Sequence, residues 1–294
     1  EPASGARRLL SFWKTNRIRS LSDANRNKLI ALVNSLLPEL LENAHEPLTT
    51  LGRLLDFFES IARRTAYLSL LTEYPAAAQR LMRMLDASEW AARYLTKHPI
   101  LLDELLDART LLAPPDWTTF TSELDAQLEN QRGDTELLMD TLREAHHAQL
   151  FRLLAQDLAG ALTVERLADH LSKLADIMVE ATLREVWQAM PKRHREVPRF
   201  AVIAYGKLGG KELGYASDLD LIFLYEDDHP DAPMLYTRLA QRFITWMTSP
   251  TSAGILFDID IALRPDGASG LMVSSFDSFE RYQNESAWAW EHQA

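Results

Sequence analysis

Cysteine is absent from this 294-residue chain, which excludes disulfides and thiolate metal sites. Long apolar runs are missing too. No stretch reaches the length of a bilayer crossing, and the first residues lack the pattern of a signal peptide. A cytoplasmic protein without a membrane partner is therefore expected. Positive charge is in deficit, with 31 basic against 42 acidic side chains and a formal net charge of −11. No basic domain hides within that total, because residues 191–294 alone carry 15 acidic and 10 basic side chains. A nucleic-acid backbone is accordingly not expected as a partner. Neither a repeat period nor a low-complexity tract is present.

What remains is an ordinary globular balance, 47% hydrophobic and 25% charged, on a chain long enough for two domains. From Ser22 to Met190 the pattern is helical. Ser22 and Asp23 can cap a helix whose stripe is Leu29, Leu32, Val33, Leu36 and Leu37. Leu51 to Leu71 continues the same rhythm as one run, and Pro75 restarts the chain. Shorter helices are predicted over Pro75 to Leu85 and Ser88 to Lys97, with a buried turn over Ile100 to Leu106. Long helices follow over Thr118 to Asn130, Asp134 to Leu158 and Val164 to Met190. The neighbours His146 and His147 diverge by about 100° on a helix and do not suit one metal ion. Phe57, Phe58 and Trp187 fall at helix-packing positions. The proline-bracketed basic segment Pro191 to Pro198 reads as a hydrated linker. It divides a helical bundle (1–190) from a small mixed α/β domain (191–294), an α+β fold overall.

The chemistry concentrates in Arg199 to Tyr225, RFAVIAYGKLGGKELGYASDLDLIFLY. Phe200 to Tyr205 is a short β-branched and aromatic run, hence a strand, ending at Gly206. Gly209 and Gly210 form a turn where the backbone can approach a phosphate. The next apolar run opens with Asp218 and Asp220, which share a strand face because side chains alternate. Two carboxylates without a base between them repel unless a cation sits there, and oxygen-only ligands suit Mg²⁺ with substrate phosphates. Helix Pro233 to Met247 then leads to an apolar strand over Ile255 to Leu263 carrying Asp258 and Asp260 on one face. Arg264-Pro265-Asp266-Gly267 reads as a tight turn, and Phe276 to His292 as a helix. Spacing alone leaves Asp258 and Asp260 open as the third carboxylate that a two-ion site needs.

The glycine pair followed by Asp218-x-Asp220 resembles the nucleotidyltransferase signature of the DNA polymerase β superfamily. The longer strings GKLGGKELGYASDLDLIF and AGILFDIDIALRPDGASG resemble one branch, the glutamine synthetase adenylyltransferase/adenylyl-removing enzymes. So do SSFDSFERYQNESAWAWEHQA and, in the helical part, YLSLLTEYPAAAQRLMRML and HPILLDELLD. The resemblance implies a polymerase β-like nucleotidyltransferase fold for 191–294. It implies transfer of AMP from MgATP to a tyrosine of glutamine synthetase, in nitrogen regulation, with the signalling protein PII and glutamine as regulators. Such enzymes are multifunctional, with a second unit that removes AMP by phosphorolysis. GYASDLDLIFLY and WAWEHQA look more like the adenylylating unit. The alternatives are the phosphorolytic unit and a helical regulatory module with an idle site.

On the same ground Asp260 is the expected third metal ligand and acceptor-side base, because it precedes the family's Leu-Arg-Pro-x-Gly segment, here Leu263 to Gly267. Asp218, Asp220 and Asp260 are thus the expected catalytic and metal-binding residues, and Gly209, Gly210, Ser217, Lys207 and Arg264 the expected nucleotide contacts. Lys211 also flanks the turn. Ala262 departs from the family's Arg-Leu-Arg run. The stop at Ala294, inside a helical pattern, reads as the end of a fragment.

Overall fold

Capping side chains start the helices where the sequence places them. In the computed structural model, which describes residues 2–288, Ser22 Oγ accepts the Asn25 amide at 3.3 Å and opens helix α3 (Asp23–Asn43). Two elements precede it that the sequence pattern does not reveal, α1 (Pro2–Lys14) and α2 (Asn16–Arg19). The run Leu51 to Leu71 is two helices, α4 (Pro47–Ile61) and α5 (Thr65–Glu73), rather than one. Arg64 N donates to the Ile61 carbonyl at 2.8 Å across the break, and Asn25 Nδ2 reaches the Ala62 carbonyl at 3.5 Å. Splitting the run lets α5 pack on α3 while α4 packs on α6 (Pro75–Ala87) and α7 (Glu89–Lys97). Leu54, Leu55, Phe57, Phe58 and Leu68 are all buried as a result. A 3₁₀ segment (Pro99–Leu105) and the short α8 (Ala108–Leu111) follow.

Three longer helices come next, α9 (Trp117–Asn130), α10 (Thr135–Leu158) and α11 (Val164–Gln188). Asp116 caps α9 through the Thr119 amide at 3.0 Å, and Thr163 caps α11 through the Arg166 amide at 3.3 Å. Two compact units result, Glu1–Pro114 with Leu154–Ala161, and Pro115–Leu153 with Leu162–Ala294. Helices α9 and α11, with residues 135–153 of α10, therefore belong to the unit that holds the sheet.

The sheet is built around β2 (Leu219–Tyr225). On one side β1 (Phe200–Tyr205) pairs with it antiparallel along its full length, with Tyr205 opposite Asp220 and Phe200 opposite Tyr225. On the other side two short parallel strands lie in succession. β3 (Ile259–Asp260) pairs with Leu219–Asp220, and β4 (Val273–Ser275) pairs with Phe223–Tyr225. Leu219, Leu221, Ile222, Phe223 and Leu224 are all buried, so β2 reads as a continuous apolar run with no alternation. Helix α13 (Ala232–Thr248) packs against α11 and the two parallel strands, and α14 (Phe276–Glu285) closes the described chain. The helix predicted over Phe276 to His292 ends early, at Glu285 with Ser286 as its C-cap, and Ala287 and Trp288 do not continue it. Residues 289–292 of that prediction, and most of the WAWEHQA segment, lie outside the described residues.

A β-strand over Ile255 to Leu263 is not formed; only Ile259 and Asp260 pair. Upstream, the amides of Leu256 and Phe257 both donate to the Met247 carbonyl at the end of α13, which ties them to the helix. Downstream, Asp260 Oδ1 accepts the Ala262 amide at 2.7 Å and turns the chain out of the sheet. The predicted turn at 264–267 is present, with Gly267 N donating to the Arg264 carbonyl at 2.8 Å.

The 191–198 segment is irregular, as its composition suggests, but its basic side chains are not all hydrated. Asp227, just past β2, has a side chain only 1% exposed. It accepts from Tyr236 Oη at 2.7 Å, His194 Nε2 at 2.7 Å, Arg195 Nη2 at 3.0 Å and the His229 amide at 3.1 Å. The Asp227 carboxylate thus fastens the linker to α13 through Tyr236, and Trp187 of α11, which stacks on Tyr236 at 5.8 Å, donates from Nε1 to the Glu196 carbonyl and ties it to α11. Burial alone would raise the Asp227 pKa, but the bonds from Tyr236 and His194, the His229 amide and the Arg195 charge hold it well below the usual carboxylate range. A depressed carboxylate stabilises the fold above its unfolded pKa of about 3.9 and loses that contribution as pH falls through the lower folded value. Asp227→Asn is expected to lose about 2 kcal/mol at pH 7, the scale of hydrogen bonds to a charged group. The deficit against the parent should shrink as the pH falls towards 3. Urea melts across that range check it; a deficit that does not change with pH contradicts the assignment.

Candidate functional site

The register of the sheet brings three carboxylates together. Asp220 is the second residue of β2, Asp218 lies two residues before it on the same face, and Asp260 is paired with Asp220 across the parallel ladder. One carboxylate oxygen from each lies within 4.8 Å of the others. Asp218 and Asp260 are exposed and Asp220 half-buried. Asp258 does not join them; its backbone carbonyl accepts the Leu219 amide at 3.0 Å and continues the ladder.

The cluster carries unbalanced charge. Burial, then the charges of Asp218 and Asp260, raise the Asp220 pKa, and Lys207 opposes the rise from the adjoining turn. Among the described residues no salt bridge joins a basic side chain to any of the three. Close oxygen donors, uncompensated and with no nitrogen or sulfur among them, suit a hard divalent cation such as Mg²⁺. The residues present therefore fit the ion.

The turn between β1 and β2 explains why Asp220 can sit there. Gly206 has φ +56°, and a Cβ on it would stand 2.2 Å from Asp220 Oδ2. The sequence marks Gly206 only as the end of a strand; its part in seating the carboxylate emerges from the fold. Gly206–Gly209 forms one helical turn, α12. At Gly209 a Cβ would meet the Ala204 carbonyl oxygen at 2.7 Å, so packing against β1 already requires glycine there. Gly210 is different: its Cβ would meet nothing closer than 3.4 Å.

The other expected contacts divide into two groups. Lys207 is exposed and within electrostatic reach of Asp220. Lys211, at φ 57°, acts electrostatically on Asp176 of α11. Ser217 Oγ accepts the Gly214 amide at 3.0 Å, a turn contact. Arg264 donates to the carbonyls of Ile261 at 2.7 Å, Ala268 at 3.1 Å and Gly270 at 3.5 Å, which braces its own loop. Gly270 completes that loop, since a Cβ there would stand 1.8 Å from the Pro265 carbonyl oxygen. At Ala262 it is the amide, donating to Asp260, that serves the cluster, and any residue but proline supplies that.

The fold and the site together define an α+β protein whose small sheet gathers three acidic, oxygen-only ligands beside a glycine turn. Comparison with known proteins makes this specific: the glutamate-ammonia ligase adenylyltransferase profile matches residues 78–294, and the chain belongs to that family. The chain is similar to proteins named bifunctional glutamine synthetase adenylyltransferase/adenylyl-removing enzyme. It is 54% identical over 294 residues to the one from Chromobacterium violaceum, covering all of this chain and 33% of that protein. It is 56% identical over 271 residues to the one from Aromatoleum aromaticum, covering 91% and 29%. The chain thus spans about a third of the length of the curated relatives it matches. No helix among the described residues is long and apolar enough to cross a membrane.

Proposed function

We propose that this chain is an adenylylating nucleotidyltransferase unit that moves AMP from ATP to a tyrosine hydroxyl of glutamine synthetase in the cytoplasm. The observation that carries the reading is the convergence of Asp218, Asp220 and Asp260 beside the glycine turn. The catalytic groups all fall within 191–294, the proposed catalytic domain. The three carboxylates would hold Mg²⁺, which when bound supplies the positive charge that the triphosphate and the departing pyrophosphate need.

The chain's own residues do the rest. Gly210, which no packing contact obliges to be glycine, keeps the turn open to a phosphate. Lys207 lends positive charge at the same edge, and Arg264 shapes the loop behind Asp260. The tyrosine oxygen attacks the α-phosphorus, forming a new P–O bond, and the bond from the α-phosphorus to the oxygen bridging to the β-phosphate breaks. Pyrophosphate leaves with that electron pair. Asp260 takes the phenolic proton as acceptor-side base. PII and glutamine would regulate the exchange.

Incubation with α-labelled ATP, Mg²⁺ and unmodified glutamine synthetase tests this. Label on a tyrosine, matched by released pyrophosphate, is the expected result. Removal of AMP from the modified enzyme by phosphate, yielding ADP without any labelling, would assign the chain to the opposite reaction. Neither reaction would mark the site as idle.

A further inference from the structure

Helix α10 carries a buried arginine that the reaction does not use. Arg143 is fully buried, and its guanidinium donates to four backbone carbonyls. Nη2 bonds Trp246 and Ser249, each at 2.7 Å, at the end of α13. Nε bonds Gly254 at 2.8 Å, and Nη1 returns to Met139 in its own helix at 2.8 Å. One turn earlier on the same face, Asp140 Oδ2 accepts from Ser252 Oγ at 2.8 Å. One turn later, His146 meets the Phe257 ring edge to face at 4.7 Å. Three positions on one helix stripe thus grip the segment from Ser249 to Phe257.

That segment is the approach to Asp260. It has little regular structure: Thr251 and Gly254 form an isolated bridge, Gly254 has φ +106°, and β3 is only two residues long. A two-residue strand cannot fix its own register, so the position of Asp260 depends on what holds the chain before it. A guanidinium fork is suited to the task, because its donors are rigid and can satisfy several carbonyls at once.

We propose that Arg143, supported by Asp140, is a positioning residue that holds the 249–257 segment so that β3 presents Asp260 to Asp218 and Asp220. Its metal arm rests on the reading of the three carboxylates as an ion site; its structural arm does not. Both are measured on the whole chain. In Arg143→Met, the amides of residues 254–260 and of Leu219, which donates to the Asp258 carbonyl, should exchange with solvent at least about tenfold faster. The amides of Ile222 and Leu224, which face β1 as the Glu226 amide does, should keep their rates. The Mg²⁺ dissociation constant should rise about tenfold, the lower end of what supports behind metal ligands contribute. Arg143→Lys, which keeps charge and loses the fork, should fall between the two.

Unchanged exchange at Leu219 and 254–260 overturns the proposal. So does faster exchange with Mg²⁺ affinity intact. If the parent chain binds no Mg²⁺, the nucleotidyl-transfer reading fails, and the exchange rates alone decide whether Arg143 positions the strand. Should Arg143→Met not fold, the Asp140→Asn, Ser252→Ala double variant removes a surface grip while leaving the buried charge satisfied. It should show the same pattern in both assays, and parental values in both overturn the proposal.

Discussion

Replacing Asp220 with asparagine is expected to abolish the proposed AMP transfer, by on the order of a thousandfold or more, and yet to make the metal-free protein more resistant to heat. The loss is on the scale of removing one preorganised electrostatic group from an active site. The gain follows from the shift on Asp220. Burial and the charges of Asp218 and Asp260 raise its pKa in the folded state. A raised carboxylate adds stability at pH values below its unfolded pKa, and that contribution is lost as pH rises through the folded pKa. At neutral pH the folded, ion-free cluster therefore keeps like charges together at a cost. Asparagine preserves the shape and removes one of those charges. In EDTA the variant should melt above the parent. Added Mg²⁺ should raise the parent's melting temperature, because a ligand that binds only the folded state stabilises it by mass action. The variant should respond far less. A variant that still labels glutamine synthetase, or that gains as much from Mg²⁺ as the parent, would sink the assignment of Asp220.

Gly206→Ala is the second large effect. Two costs coincide at this position. An alanine at φ +56° is strained by about 1–2 kcal/mol. Its methyl would also occupy the place of Asp220 Oδ2, 2.2 Å away. The carboxylate has to give way, since the alternative is movement of β1, whose six residues are all paired with β2. Transfer should fall on the order of a hundredfold, with the Mg²⁺ dissociation constant raised to match, as for a disturbed ligand. Gly210→Ala serves as the contrast, because a methyl there meets no atom closer than 3.4 Å in the protein itself. It should fold normally and weaken ATP more than Mg²⁺. Equal Mg²⁺ affinity in Gly206→Ala and the parent would show that the glycine serves the backbone alone.

How far the residues foretold this arrangement depends on the length scale of each feature. Ser22, Ser88 and Thr163 cap helices within three residues of themselves, and those starts are legible. The β1–turn–β2 unit is equally local, with apolar runs separated by glycines. The break between α4 and α5 is not legible. No glycine or proline marks it, and it exists because α5 finds α3 while α4 finds α6 and α7. The apolar pattern from Ile255 to Leu263 overstates β3 for a similar reason. Its apolar residues Leu256 and Phe257 look like strand, yet their amides answer to Met247. β4 has only three residues, Val273 to Ser275, too few to announce themselves.

At the site, the pairing of Asp218 with Asp220 follows from alternation along one strand. The arrival of Asp260 is a matter of register between strands forty residues apart, which spacing leaves open and the ladder fixes. Arg143 lies furthest from any sequence rule. Its three partners outside α10 sit 103 to 111 residues away and are all backbone carbonyls, which have no signature in a sequence. Likewise nothing in PKRHREVP, whose composition suggests a hydrated linker, shows that His194 and Arg195 turn inward to Asp227.

Anomalous scattering from Mn²⁺ bound with a non-hydrolysable ATP analogue tests the central claim most directly. The account predicts a peak within about 2.2 Å of oxygens from Asp218 and Asp220, with Asp260 bound to the same or a neighbouring ion and the triphosphate over the 206–210 turn. A bound analogue whose metal avoids these carboxylates, or carboxylates that stay without metal at saturating Mn²⁺, would contradict it.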